Sequence, residues 1–104
     1  MAQFDVYANT NPETKRAVPY LLDVQTDLLS NLATRVVIPL YSVSAMGKAA
    51  KHLNPRFSIK RTTVIMSTAE LAGVTLSRLG DKVCSVKEHR NKIIAALDFL
   101  ITGF

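Results

Sequence analysis

Asp23 and Asp27 are the closest approach in this sequence to an acid–base pair. They follow an apolar run that reads as a strand. At a strand's end a carboxylate more commonly accepts hydrogen bonds from turn amides than it moves protons. No neighbour in the sequence suggests a shifted pKa for either, so both read as turn residues. His52 and His89 stand alone, without a second ligand at helical spacing and without a Cys-x-x-Cys pair. We therefore expect no metal and no cofactor. Cys84 is the only cysteine. It has no nucleophile motif around it and reads as a small buried hydrophobe. It cannot close an intrachain disulfide, which points to a reduced compartment. The glycines, at 47, 73, 80 and 103, build no phosphate-cradling loop. No catalytic residues are expected, and a binding module outweighs an enzyme.

Charge offers a better lead. The formal net charge is +5, and six cations with no acidic residue fall within positions 28–69: Arg35, Lys48, Lys51, Arg56, Lys60 and Arg61. A basic middle suits an anionic partner, either nucleic acid or an acidic peptide, or else it is an ordinary solvated Lys-rich surface. Only Tyr41 and Phe57 interleave it with aromatic rings, which is thin for single-strand binding.

The elements that must carry these residues are mostly short strands. Period-two or apolar runs over 3–7, 20–25, 35–40, 57–59, 62–66 and 74–76 predict six strands. Pro39 predicts an edge or a bulge in the third, because proline cannot donate to a ladder. Lys60-Arg61 reads as a hairpin turn, although it lacks Gly and Asn. Gly73 and Gly80 punctuate the sixth strand. At Ser85 the period changes: Ser85-Val86-Lys87-Glu88 reads as a capping box opening a helix. Val86, Ile93, Leu97, Leu100 and Phe104 form its apolar stripe, widened by Ile94, Ala96 and Ile101. Such a stripe, running to the last residue, is either docked on the sheet or presented to a partner.

Size bounds the rest. A chain of 104 residues fits one domain over 1–104 and buries roughly 65% of its extended surface. Hydrophobic residues make up 48% and charged residues 20%, which excludes disordered and low-complexity classes. The N-terminus shows no export leader, and the longest apolar stretch, 93–104, is too short to span a bilayer. The expectation is a soluble cytoplasmic protein with no membrane partner.

Specific strings carry the analysis further. Gln3-Phe4-Asp5-Val6-Tyr7, Leu22-Asp23-Val24-Gln25-Thr26-Asp27-Leu28 and Arg35-Val36-Val37-Ile38-Pro39-Leu40 follow one another in the order and spacing of the CcdB family. Leu53-Asn54-Pro55 and residues 68–80 fit that family's middle region, and residues 95–104 resemble its final helix. The chain is thus similar to CcdB, the gyrase-poisoning toxin of type II toxin–antitoxin modules, over essentially its whole length. The resemblance implies an α+β, mostly β fold: a CcdB/MazF-type SH3-like antiparallel β-barrel or sheet, a small second sheet and a C-terminal α-helix. It implies a homodimer without enzymatic activity that binds the DNA gyrase A subunit and traps gyrase on cleaved DNA, so that replication and transcription stop. It also implies neutralisation by a CcdA-like antitoxin through an acidic, disordered C-terminal segment, with a role in plasmid maintenance. DNA would then be met only indirectly, through the antitoxin during transcriptional autoregulation, or through gyrase.

Carried over by position, the gyrase-facing residues are Asp98, Ile101, Thr102, Gly103 and Phe104, joined by Thr26 and Leu28. Leu97 and Leu100 read as core. By analogy, the antitoxin surface includes Asn9, Asn11, Lys15, Arg16, Lys48 and Lys51. Two positions depart from the family pattern: Thr102 stands where it has Trp, which removes an aromatic anchor, and Thr75 stands where it has Pro. Two alternatives remain: a MazF-like endoribonuclease, or an inactive chromosomal copy that acts as an antitoxin sink.

Overall fold

A computed structural model describes residues 2–50 and 52–103. Its strands are β1 (Asp5–Asn9), β2 (Tyr20–Asp23), β3 (Thr34–Ser42), β4 (Arg56–Ile59), β5 (Thr62–Met66), β6 (Ala72–Thr75) and β7 (Leu79–Ser85). A single helical turn, α1 (Val43–Met46), follows β3, and a longer helix, α2 (Arg90–Thr102), ends the described chain. All strand pairs are antiparallel, in the order β4-β5-β3-β2-β1-β7, with β6 also paired to β3. The mostly β fold with a C-terminal helix matches expectation. The small second sheet is not separate, because every described strand joins one hydrogen-bonded sheet through β3.

Chain reach shows why the sheet must curl. Thr75 in β6 pairs with Thr34, and Leu79 in β7 pairs with Asn9. From Thr75 to Leu79 the backbone covers at most about 14 Å. In a flat sheet β6 and β7 would lie four strand spacings apart, about 19 Å. Only a curled sheet brings the two ends close enough, so β6-β3-β2-β1-β7 closes toward a barrel.

Three strand predictions change. Pro39 lies in the central strand rather than at an edge. Toward β2 it pairs with Leu21. On its other side β3 switches partner, from β6 at Val37 to β5 at Leu40, and Pro39 sits at the switch, where a missing donor leaves no ladder partner unsatisfied. The first strand runs Asp5–Asn9 rather than 3–7. Phe4, at φ 70°, kinks the chain before it: its N–H donates to Asp23 O at 2.6 Å and its ring is buried. β7 was not expected at all. It pairs only with β1, through two register shifts, so no clean alternation marks it. Gly80 lies inside this strand, where a Cβ would stand 2.8 Å from Ala8 O.

The hairpin at Lys60-Arg61 forms as expected, with both residues at positive φ, 48° and 68°. The capping box does not form. Ser85 ends β7, its hydroxyl accepts from Lys87 N at 3.2 Å, and a 3-10 turn at Lys87–His89 precedes α2. The core gathers Val6, Leu22, Ile38, Leu40, Phe57 and Met66 from the strands with Ile93 and Ala96 from α2. Among the described residues no helix is long and apolar enough to cross a membrane. Accessible surface is 6385 Å², about a tenth above the roughly 5,800 Å² typical for this mass. Two segments, the end of α2 and the loop after β2, carry the most exposed large apolar side chains, Ile101 and Leu28.

Candidate functional site

The first projection is the end of α2. Helical period puts Ile93 and Ala96 against the core, where both are buried, while Ile94, Leu97 and Leu100 are half-buried. The stripe then leaves the core: Ile101 is 74% exposed, and Phe99, which lies off the stripe, is 39% exposed. The stop is well defined. Gly103 takes the left-handed conformation, φ 80° and ψ 14°, and donates its N–H to Phe99 O at 3.0 Å. Thr102 turns its hydroxyl back onto Asp98 O at 2.7 Å, and Asp98 itself is exposed. Asp98, Ile101, Thr102 and Gly103 therefore share one exposed, capped helix end. Phe104 lies outside the described residues. Leu97 and Leu100 pack partly inward, in keeping with a core role.

The second projection is the loop after β2, in which residues 26–34 are all exposed. Thr26 caps a 3-10 turn, Asp27–Leu29, by accepting from Leu28 N at 3.4 Å. Asp27 Oδ1 accepts from Gln3 N at 2.7 Å, and Gln25 Nε2 donates to Leu29 O at 3.0 Å. The backbone is thus tied down while Leu28 projects at 90% exposure, flanked by Leu29 at 46% and Leu32 at 45%. Leu29 and Leu32 were missed in the sequence. A leucine run without helical or strand period is the signal that could have found them. Among the described residues no hydrogen bond or ion pair links this loop to the last turn of α2. Within one chain they are two separate apolar projections.

Beneath the loop lies a buried polar mount. Arg35 donates from Nε to Asp23 Oδ2 at 2.8 Å, Nη2 approaches the same oxygen at 2.7 Å, and both side chains are fully buried. Asp23 Oδ1 accepts from Gln25 N at 3.0 Å, and Gln25 Oε1 accepts from Val36 N at 3.0 Å. Asp23 and Asp27 thus serve backbone amides, as expected, while the Arg35 partnership escaped sequence reading. Burial holds the Asp23 carboxyl above its usual value, against the opposing pull of the Arg35 guanidinium. Nearby, Tyr7 donates to Asp5 Oδ2 at 3.3 Å. Burial, with the Asp5 and Asp23 charges, pushes the Tyr7 phenol up to about 12. Cys84 is a half-buried free thiol, pushed up mainly by burial, which leaves it a poor nucleophile.

The residues expected at an antitoxin surface divide. Asn9 donates to Thr14 Oγ1 at 3.0 Å and Val18 O at 2.8 Å, while Asn11 Oδ1 accepts from Glu13 N at 2.9 Å. Both amides are spent on folding the 10–19 loop. They also border a cavity of about 560 Å³ whose floor includes Leu21, Pro39, Tyr41 and Val74. Lys15 and Arg16 on that loop, and Lys48 beyond α1, are exposed. Lys51 lies outside the described residues.

The family model described as CcdB protein matches residues 3–103. Among solved structures, a mycobacterial endoribonuclease in complex with its cognate antitoxin superposes with a TM-score of 0.73. It is 16% identical, with 94% of this chain and 91% of that one covered. A mycobacterial endoribonuclease structure gives the same TM-score and identity, with 94% and 88% covered. At such identity the likeness is one of fold.

Proposed function

The chain belongs to the CcdB family, and we propose that it is the toxin of a type II toxin–antitoxin module and poisons DNA gyrase. One observation carries the reading: the last turn of α2 leaves the core, exposes Ile101 at 74%, and ends in a fixed left-handed cap at Gly103. On this reading the protein is a wedge, not an enzyme. Two copies present two helix ends to the gyrase A subunits, and the cleaved DNA between them is not resealed. Thr102 adds no bulk, because its hydroxyl is turned back onto Asp98 O. Ile101 therefore takes over as the anchor, with Asp98 at its flank. Thr26 and Leu28 form the second contact, on the loop that the Asp23–Arg35 pair supports. A CcdA-like antitoxin with an acidic segment approaches the cations at Lys15, Arg16 and Lys48, steered by the net positive charge. The cytoplasm, where gyrase and DNA meet, is the proposed place of action.

The test is a gyrase cleavage assay with purified protein, with RNA integrity scored alongside. Linear DNA released on denaturation, with RNA intact, is the expected result. Cut RNA with gyrase unaffected would overturn the reading. Ile101→Gln sharpens the test: an exposed, uncharged replacement changes stability by less than about 0.5 kcal/mol, whereas loss of an interface anchor costs about 2 kcal/mol or more. The variant should therefore melt like the parent and fail to trap gyrase.

A further inference from the structure

The outward face of α2 borders a groove of about 540 Å³ walled by Ala49, Pro55 and Ala95 and carrying His52, Arg56 and Lys92. All three basic side chains are exposed, and among the described residues none has a carboxylate within 4.0 Å. Lys92 is held in place: its Nζ donates to Arg56 O at 2.8 Å and lies 5.1 Å from the Phe57 ring centroid. His52 meets the Phe99 ring edge-on at 6.0 Å, and that ring is 39% exposed. Lys92 held in place, Arg56 beside it, and a partly exposed aromatic ring supply the two parts a nucleic-acid strand needs, cations and a stacking platform. We propose that this groove binds the phosphodiester backbone of a single strand, with an unpaired base laid on Phe99.

Two observations favour a strand over an acidic peptide. A peptide adding to the edge of the sheet needs the free carbonyls of β4. Pro55 O already accepts from Met66 N on the β5 side, so Arg56 O faces the open edge, and Lys92 occupies it. Moreover, the lining is mostly polar or basic (His52, Asn54, Arg56 and Lys92, against Ala49, Pro55 and Ala95) and offers no large apolar side chain to meet the anchors that dominate peptide interfaces. Phosphates need only cations at the rim, and Arg56 and Lys92 supply two.

The experiment is fluorescence anisotropy of the full chain with labelled oligodeoxythymidine, its duplex and oligouridine across a salt titration. A single strand should bind, with the slope of log affinity against log salt steeper by about 0.7 for each phosphate held. Arg56→Glu with Lys92→Glu should cut affinity at least tenfold and flatten that slope by about 1.4. Phe99→Ala should weaken the single strand about fivefold or more and leave the duplex unchanged. Arg78→Glu, in the exposed turn between β6 and β7, should stay within twofold of the parent. Circular dichroism and urea midpoints confirm folding, and Arg56→Gln with Lys92→Gln keeps the test readable if charge reversal unfolds the chain. Tighter binding of oligodeoxythymidine or of oligouridine identifies the natural source of the phosphates, and either supports the groove. The proposal fails if the double variant binds like the parent, if Arg78→Glu loses as much, or if polyglutamate displaces the strand at equal charge concentration.

Discussion

Replacing Arg35 with methionine tests the mount beneath the Leu28 loop. Methionine keeps much of the length and the apolar stem but removes the guanidinium that meets Asp23 Oδ2 through Nε at 2.8 Å and Nη2 at 2.7 Å. Both partners are fully buried, so the surviving carboxylate is stranded without water or counter-charge. Breaking such a pair by removing one member costs about 3–5 kcal/mol, a large part of the roughly 5–15 kcal/mol that holds a domain of this kind. The melting temperature should fall by at least about 12 °C.

The pH dependence identifies the cause. Burial already raises the Asp23 carboxyl, with Arg35 pulling down. Without Arg35 the upward push is unopposed, and the folded variant keeps a proton that the unfolded chain releases above about pH 4. The folded state then binds more protons than the unfolded one, so stability falls as pH rises from the unfolded value to the raised folded value. Urea unfolding should show the deficit largest at pH 7–8 and shrinking toward pH 5. Asp23→Asn with Arg35→Met keeps the acceptor for Gln25 N, removes the stranded charge, and should recover half the loss or more. A deficit below about 1 kcal/mol, or one that does not change between pH 8 and pH 5, would refute the reasoning.

Three further outcomes can be checked independently. Lys60→Asn with Arg61→Gly relieves two side chains held at φ 48° and 68°. It should stabilise the chain by about 1–2 kcal/mol, read as a rise in melting temperature. Gly80→Ala forces a Cβ to within 2.8 Å of Ala8 O, a backbone atom in the neighbouring strand. A loss of about 1–3 kcal/mol in urea unfolding is expected. Finally, absorbance titration should find Tyr7 ionising only near pH 12. Because the unfolded phenol ionises near pH 10, this group's share of stability is intact below that and lost between about pH 10 and 12.

How much of this was legible in the sequence depended on whether one short-range rule decided the outcome. The Lys60-Arg61 hairpin and the amide-serving roles of Asp23 and Asp27 follow from local geometry, and they were read correctly. Pro39 was misplaced because its edge-like chemistry is satisfied by a partner switch between β6 and β5, which depends on residues more than twenty positions away. β7 was invisible because its bulged pairing with β1 breaks the alternation that marks a strand. The start of α2 was set too early: Ser85 is still needed by β7, opposite Asp5, and its hydroxyl serves Lys87 rather than Glu88. The Asp23–Arg35 pair was illegible for the same reason as Pro39, since only the β2–β3 register brings the two residues together. The groove beside α2 needed Arg56 and Lys92 side by side, which separation in sequence conceals.

The buried ion pair and the exposed leucines belong to one argument. A buried pair gives little net stability compared with well-packed apolar residues, so stability alone is a weak reason for Asp23 and Arg35 to occupy the middle of the fold. Their position suggests a mechanical reason. Asp23 fixes Gln25 N, and Gln25 fixes both Val36 N and Leu29 O, so the loop that projects Leu28 stands on a rigid base. At the other projection the Gly103 cap and the Thr102 hydroxyl do the same for Ile101. Docking a mobile side chain costs about 0.5–1.5 kcal/mol in lost freedom. Backbone held in advance lowers the further cost of ordering the segment that carries it. Leu28 at 90% and Ile101 at 74% exposure bury little area and so add little to the stability of the fold. Leu28 thus stands on buried hydrogen bonds and Ile101 on a capped, hydrogen-bonded last turn, the preorganisation that the proposed docking would use.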